Sequence, residues 1–224
     1  MGPPIAADGA PPELFIFDLD GTLIDSRADI VASLNRARAG FGLPPLDDDV
    51  AGGFIGDGVQ RLLERGLATT DPNVIARALA VFRAHYDAHC LDRTALYPDV
   101  PEVLDVLEGR VRAIVTNKPE PFARKILAGL GVEDRFEFVL GGDTTPAKKP
   151  DPAGILDVLR RAGKSPAQAL VVGDALQDLE AARAAGVRAA LVTYGIGREA
   201  DLRAAGPDLL LRRLAELPAR VGIS

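Results

Sequence analysis

The chain has 224 residues, enough for one large domain or two modest ones, and 47% of them are apolar, enough for a substantial core, so disorder is not the default. A net charge of −6 without any Lys/Arg cluster argues against nucleic acid as a partner. One cysteine, Cys90, leaves no internal disulfide, and no segment reaches the roughly 20 apolar residues that a membrane helix needs.

The N-terminal stretch MGPPIAADGAPPE has neither the basic start nor the apolar run of a signal peptide, and its Pro, Gly and Ala content predicts a loose tail. The expectation is a soluble, cytoplasmic protein without a membrane partner. The sequence carries no signal for an oligomeric state.

Short apolar runs then recur with helical patterns between them. The strand candidates are residues 14–19, 111–116, 136–140, 169–172, 189–192 and 208–211. Amphipathic stretches separate them, such as Phe122, Ile126, Leu127 and Leu130, then Ile155, Leu156 and Leu159. A further helix should stop near Gly186, a natural left-handed terminator. Strands alternating with helices imply an α/β fold with a doubly wound parallel sheet.

Residues 25–97 break that rhythm, because only helical patterns are legible there. Ile30, Leu34 and Ala37 form one face, Val59, Leu62, Leu63 and Leu67 a second, and Ile75, Leu79, Phe82 and Tyr86 a third. The expected division is an α/β core made of 1–24 and 98–224 with an all-helical insertion over 25–97.

The stretch FIFDLDGTLIDS, residues 15–26, ends a buried run in two acids, Asp18 and Asp20. Two such charges repel unless a cation, a proton or strong donors compensate. In an open parallel sheet, chemistry gathers beyond the carboxyl ends of the strands. Thr116 and Asn117 follow the second long run, Lys148 and Lys149 the third, and Asp174 and Asp178 the fourth. Clustered carboxylates without a Cys/His set suit a hard cation such as Mg²⁺ rather than zinc. A cation, a lysine and hydroxyl or backbone donors around a carboxylate describe a phosphoryl site, where an ionised aspartate can act as nucleophile.

DLDGTLIDS, IVTNKP, KKPDP and VVGDALQD, in this order, resemble the four signature motifs of the haloacid-dehalogenase-like phosphohydrolases. The helical insertion is similar to the small helical cap of that family. Within it, GLPPL, HYDAHCLDRTALYPDV, TNKPEPFARKIL and GGDTTPAKKPDP most resemble the phosphoglycolate phosphatases. The resemblance implies Asp18 as nucleophile and Asp20 as general acid, then base. It also implies Mg²⁺ held by Asp18, the Asp20 backbone carbonyl and Asp174, with Asp178 orienting a water. Thr116 and Asn117 would hold phosphate oxygens and Lys149 would neutralise charge. The family often has serine where Ala175 stands, which implies one weaker hydrogen bond.

On the residues alone, Lys118, Lys148 and Lys149 all remain candidates for the site lysine. Pro150-Asp151-Pro152 stiffens the backbone after Lys149 and favours it. GGFIGDGV lacks the third glycine of a dinucleotide loop, since Arg61 stands there. That turn, Gly56-Asp57-Gly58, could instead offer backbone N–H groups to a substrate carboxylate, with Arg61 nearby. His85 and His89 stand four apart with no third ligand, so they are expected to be a packed or surface pair. Asp47–Asp49 fits a helix cap.

The functional expectation is a Mg²⁺-dependent phosphomonoester hydrolase acting on a small phosphorylated metabolite, with 2-phosphoglycolate implied by the subgroup. Its rivals are a phosphatase for another metabolite, a sugar-phosphate mutase, and a phosphate-binding regulator without turnover.

Overall fold

Leu14–Phe17 (β1) is apolar at every position and fully buried, as befits a strand covered on both faces. In the computed structural model, which describes residues 10–223, it lies inside a six-stranded parallel sheet. The predicted loose tail lies mostly outside the described residues. After β1 come a two-residue strand Ile24–Asp25 (β2) and four helices, Arg27–Ala39 (α1), Asp48–Gly52 (α2), Val59–Leu67 (α3) and Pro72–His89 (α4). Ala95–Leu96 (β3) closes this insertion by pairing antiparallel with β2.

The rest of the chain alternates. Val100–Val106 (α5), Val111–Val115 (β4), Glu120–Gly129 (α6), Phe138–Leu140 (β5) and Ala153–Ala162 (α7) are followed by Ala169–Gly173 (β6) and Leu176–Ala184 (α8). Arg188–Val192 (β7), Glu199–Ala205 (α9), Leu209–Leu211 (β8) and Leu217–Arg220 (α10) complete it. The strand order is β5-β4-β1-β6-β7-β8, so β1 pairs with β4 on one side and β6 on the other. Among the described residues no helix is long and apolar enough to cross a membrane.

The pleat of β1 divides the core. Phe15 and Phe17 face a cluster with Leu104 of α5 and Ile126 of α6, which continues into α1, α3 and α4 of the insertion. Leu14 and Ile16 face the opposite cluster, with Val158 of α7 and Leu179 of α8. Leu156 is 47% exposed, because the neighbouring Ile155 already occupies the inward face of α7.

Local chemistry fixes the helix ends. Asp71 accepts from the N–H groups of Asn73 and Val74, with Pro72 starting α4. Asp47 accepts from Asp49 N and starts α2, as the acidic run suggests. Gly186 follows α8 at φ +70°. The stretch 136–140 contributes strand only over Phe138–Leu140, because a 3₁₀ turn over Glu133–Arg135 precedes it. The expectation that 25–97 holds no strand is corrected at its edges, where β2 and β3 are too short to carry an alternating pattern.

Candidate active site at the carboxyl rim of the sheet

Asp18 and Asp20 follow the end of β1 and face different partners, and Gly21 then turns the chain at φ +86° with its N–H returning to Ile24 O. Asp18 faces a carboxylate cluster: single oxygens of Asp18, Asp174 and Asp178 lie within 4.8 Å of one another. Asp20 faces the insertion instead. Both its oxygens accept from Lys118 Nζ, at 2.7 and 2.8 Å, and Ser26 Oγ donates to Oδ1. The two acids thus occupy separate charge environments one residue apart.

Lys149 Nζ lies 2.8 Å from Asp18 Oδ1 and donates to Asp178 Oδ1 at 2.7 Å. Burial works against its ammonium, but Asp178 and Asp18 outweigh burial and hold its pKa above the ordinary lysine value. Asn117 holds the backbone of this lysine on both sides: Oδ1 accepts from Lys149 N at 2.9 Å and Nδ2 donates to Lys149 O at 3.1 Å. The same Nδ2 donates to Gly56 O of the insertion at 3.0 Å. Thr116 is buried at the end of β4, where its Oγ1 accepts from Lys118 N.

Asp174 follows β6 and is held by Thr22 Oγ1 at 3.0 Å and Ile196 N at 2.7 Å. A Cβ at Gly21 or Gly195 would overlap its carboxylate, so both glycines are needed for the approach. Asp178 Oδ2 accepts from the N–H groups of Asp174 and Ala175, which ties the start of α8 without the serine hydroxyl. Burial pushes Asp18 up to about 6, against Lys149 and with help from Asp178 and Asp20. Asp174 rises to about 8 through burial and the charges of Asp178 and Asp18.

A divalent cation fits this set. Asp18 Oδ1 is buried without an aligned hydrogen bond despite Lys149 nearby, and oxygen is the only donor type in the cluster. A bound cation would also offset the burial and the carboxylate repulsion that together raise Asp18 and Asp174.

Two cavities meet at Asp18 and Asp20. One, about 60 Å³, runs under the insertion past Lys118, Tyr86, Phe82 and Phe122. The other opens along Lys149, Asp174 and the loop at Ile196. The three candidate lysines therefore have three destinations: Lys149 at Asp18, Lys118 at Asp20, and Lys148 beside Gly58. Arg61 lies elsewhere, exposed and paired with Glu64, and Gly56 presents its carbonyl to Asn117. His85 bonds Ser33 and His89 bonds Asp92, their rings stacked at 4.4 Å.

Sequence reasoning missed Ser26, Thr22, Tyr86 and Ile196 N. Ser26 and Thr22 were within the quoted motif, and the glycine-rich TYGIG after β7 marks a further strand end on the same rim.

A family profile described as Haloacid dehalogenase-like hydrolase matches residues 15–192. The chain is 39% identical over 217 residues to a phosphoglycolate phosphatase of Pseudomonas putida, covering 93% of this chain and 79% of that protein. It is 38% identical to a phosphoglycolate phosphatase of Chromobacterium violaceum, covering 90% of this chain and 92% of that one. A crystal structure of a predicted phosphoglycolate phosphatase from Haemophilus somnus 129pt superposes with a TM-score of 0.88 at 30% identity, covering 92% of this chain and 96% of the other. Since the profile begins inside β1 and ends with β7, it takes in every strand whose end builds the rim. The chain belongs to the haloacid dehalogenase-like hydrolases.

Proposed function

We propose that the chain is a Mg²⁺-dependent phosphomonoester hydrolase whose substrate is 2-phosphoglycolate. The observation that carries the reaction class is the split between the two β1 acids: Asp18 turned to Lys149 and the carboxylate cluster, Asp20 turned to Lys118 and the cavity. Paired carboxylates in separate environments can take separate roles, one as nucleophile and one as acid. The names of the relatives support the substrate.

Near neutral pH, Asp18 is ionised. Its carboxylate oxygen attacks phosphorus while the bond to the ester oxygen breaks, leaving the electron pair on that oxygen. Asp20 supplies the proton that makes it an alcohol. Water then attacks phosphorus, Asp20 takes its proton, and Asp18 departs as a carboxylate with release of phosphate. Lys149 balances charge on Asp18 and the phosphoryl group, while Thr116 and the Asn117 backbone hold phosphate oxygens. Asn117 also fixes the aim of Lys149 through its backbone. The carboxylates of Asp18 and Asp174 and the Asp20 backbone carbonyl would hold Mg²⁺, which supplies charge neutralisation at the phosphoryl oxygens when bound. Residues 25–97 act as a cap that covers the leaving group and limits water.

Phosphate release from 2-phosphoglycolate, measured in chelator and then with Mg²⁺ restored, tests this reading. Activity should vanish and return. Full activity in chelator would sink the metal. A hexose phosphate, nucleotide or pyrophosphate hydrolysed far faster than 2-phosphoglycolate would sink the substrate.

A further inference from the structure

Both oxygens of Asp20 accept from the Lys118 ammonium, so neither is turned toward a substrate while that pair holds. The Lys118 side chain is only 5% exposed, so an ammonium stripped of this partner would stay desolvated. Over its far side stands Tyr86 of α4, with Nζ 5.0 Å from the ring centroid. The ammonium thus lies against the Tyr86 side chain, and the buried Tyr86 hydroxyl makes no aligned hydrogen bond to the protein despite Lys118 nearby. A buried hydroxyl left open in this way requires an explanation, and a ligand oxygen supplies one.

Lys118, Tyr86, Asp18 and Asp20 line the same small cavity, whose other walls include Phe82 and Phe122. At about 60 Å³ it admits a few water-sized groups, and the larger cavity meets it at Asp18 and Asp20. Asp20 has to meet the ester oxygen of the substrate, and Lys118 already touches Asp20. A carboxylate one carbon from that ester oxygen therefore falls within reach of the ammonium. Resting on the reading of the chain as a phosphatase for a small phosphorylated acid, we propose that Lys118 and the Tyr86 hydroxyl form the receptor for a carboxylate on the leaving group. Transfer of Lys118 from Asp20 to that carboxylate frees the Asp20 oxygens to turn toward the ester oxygen, and the proton delivered there is taken up from solvent.

The exchange keeps the ammonium paired throughout: with Asp20 when the cavity is empty, with the substrate when it is filled. A neutral leaving group offers no exchange, so Asp20 stays held and the reaction is slow. Selectivity then comes from the chemical step as well as from binding.

The test is the ratio of kcat/KM for 2-phosphoglycolate to that for ethyl phosphate, which lacks the carboxylate. The wild-type chain should favour 2-phosphoglycolate. Lys118→Met should collapse the ratio by on the order of 10²-fold, the scale of a lost buried charge pair. Tyr86→Phe should lower it roughly tenfold, as for one lost hydrogen bond. It removes only a hydroxyl that makes no aligned hydrogen bond to the protein, so it decides the matter even if Lys118→Met fails to fold. A role confined to positioning Asp20 would slow both substrates alike. A wild-type preference that survives these substitutions overturns the receptor alone. Equal kcat/KM for the two substrates in the wild-type chain overturns the substrate reading, and the receptor with it.

Discussion

Asp18 and Asp20 stand two positions apart and differ in their charged partners. Asp18→Asn should lower kcat by at least about 10⁴-fold with the fold retained, because an amide cannot attack phosphorus. Asp20→Asn should cost about 10²–10⁴-fold with an alkyl phosphate, but clearly less with an activated aryl phosphate, whose leaving group needs little protonation. Steady-state kinetics on both esters separates the two, and more than a trace of Asp18→Asn activity would remove it as nucleophile. The sequence pointed to these residues, with Thr116, Asn117 and Asp174, because they stand at or just beyond apolar runs that form strands, whereas Lys149 comes after a loop and Asp178 inside α8. Ser26 and Thr22 were harder to find, since a hydroxyl after a turn looks the same whether it meets solvent or a buried carboxylate. Tyr86 read as one more apolar face residue of α4, which is true of its ring and silent about its hydroxyl.

Among the elements, the Gly56–Gly58 turn is where the insertion meets the rim. Gly56 O accepts from Asn117, Asp57 accepts from Gln177 and pairs with Arg65, and Gly58 starts α3. Gly58 has φ +86° and ψ 165°, a region open to little but glycine, so Gly58→Ala should cost about 1–3 kcal/mol. Its Cβ would also lie 2.7 Å from Lys148 Nζ, but that flexible end can move aside, so the backbone dominates the cost. Chemical denaturation checks this, and unchanged stability would show that the turn relaxes elsewhere. The long strands and α1, α3 and α4 were legible because their apolar periods run for many residues. Two-residue β2 and β3 have no period to detect. Arg61 looked suited to an anion by charge and nearness in sequence, but the rotation of α3 carries it to Glu64 and solvent.

At the scale of the whole molecule, Asp18 and Asp174 link stability to pH. Their ordinary value is 3.8, and burial raises them to about 6 and about 8 in the folded chain. Between those limits the folded state binds more protons than the unfolded, so without metal, stability is greatest at the acid end and falls as pH rises. His85 works the other way: its pKa is lowered from 6.5 mainly by burial, but its ring is half-buried and carries less weight. The melting temperature in chelator should therefore drop by several degrees between about pH 5 and pH 8, given about 2–4 °C per kcal/mol for a chain of this size. Mg²⁺ should flatten the slope by taking the place of the protons. A flat profile in chelator that Mg²⁺ leaves unmoved would contradict the cation site. The central place of β1 has a consequence for how the chain is made. Its partners β4 and β6 begin about 100 and about 155 residues later, so β1 leaves the ribosome long before either edge can be covered. Such distant pairings are slow to form and leave an apolar strand open to other chains meanwhile. The nascent chain therefore carries Asp18 beside an apolar strand that is still uncovered. Chemistry begins only when the last-made neighbours close around it, so a half-made chain is a candidate for chaperones and never an enzyme.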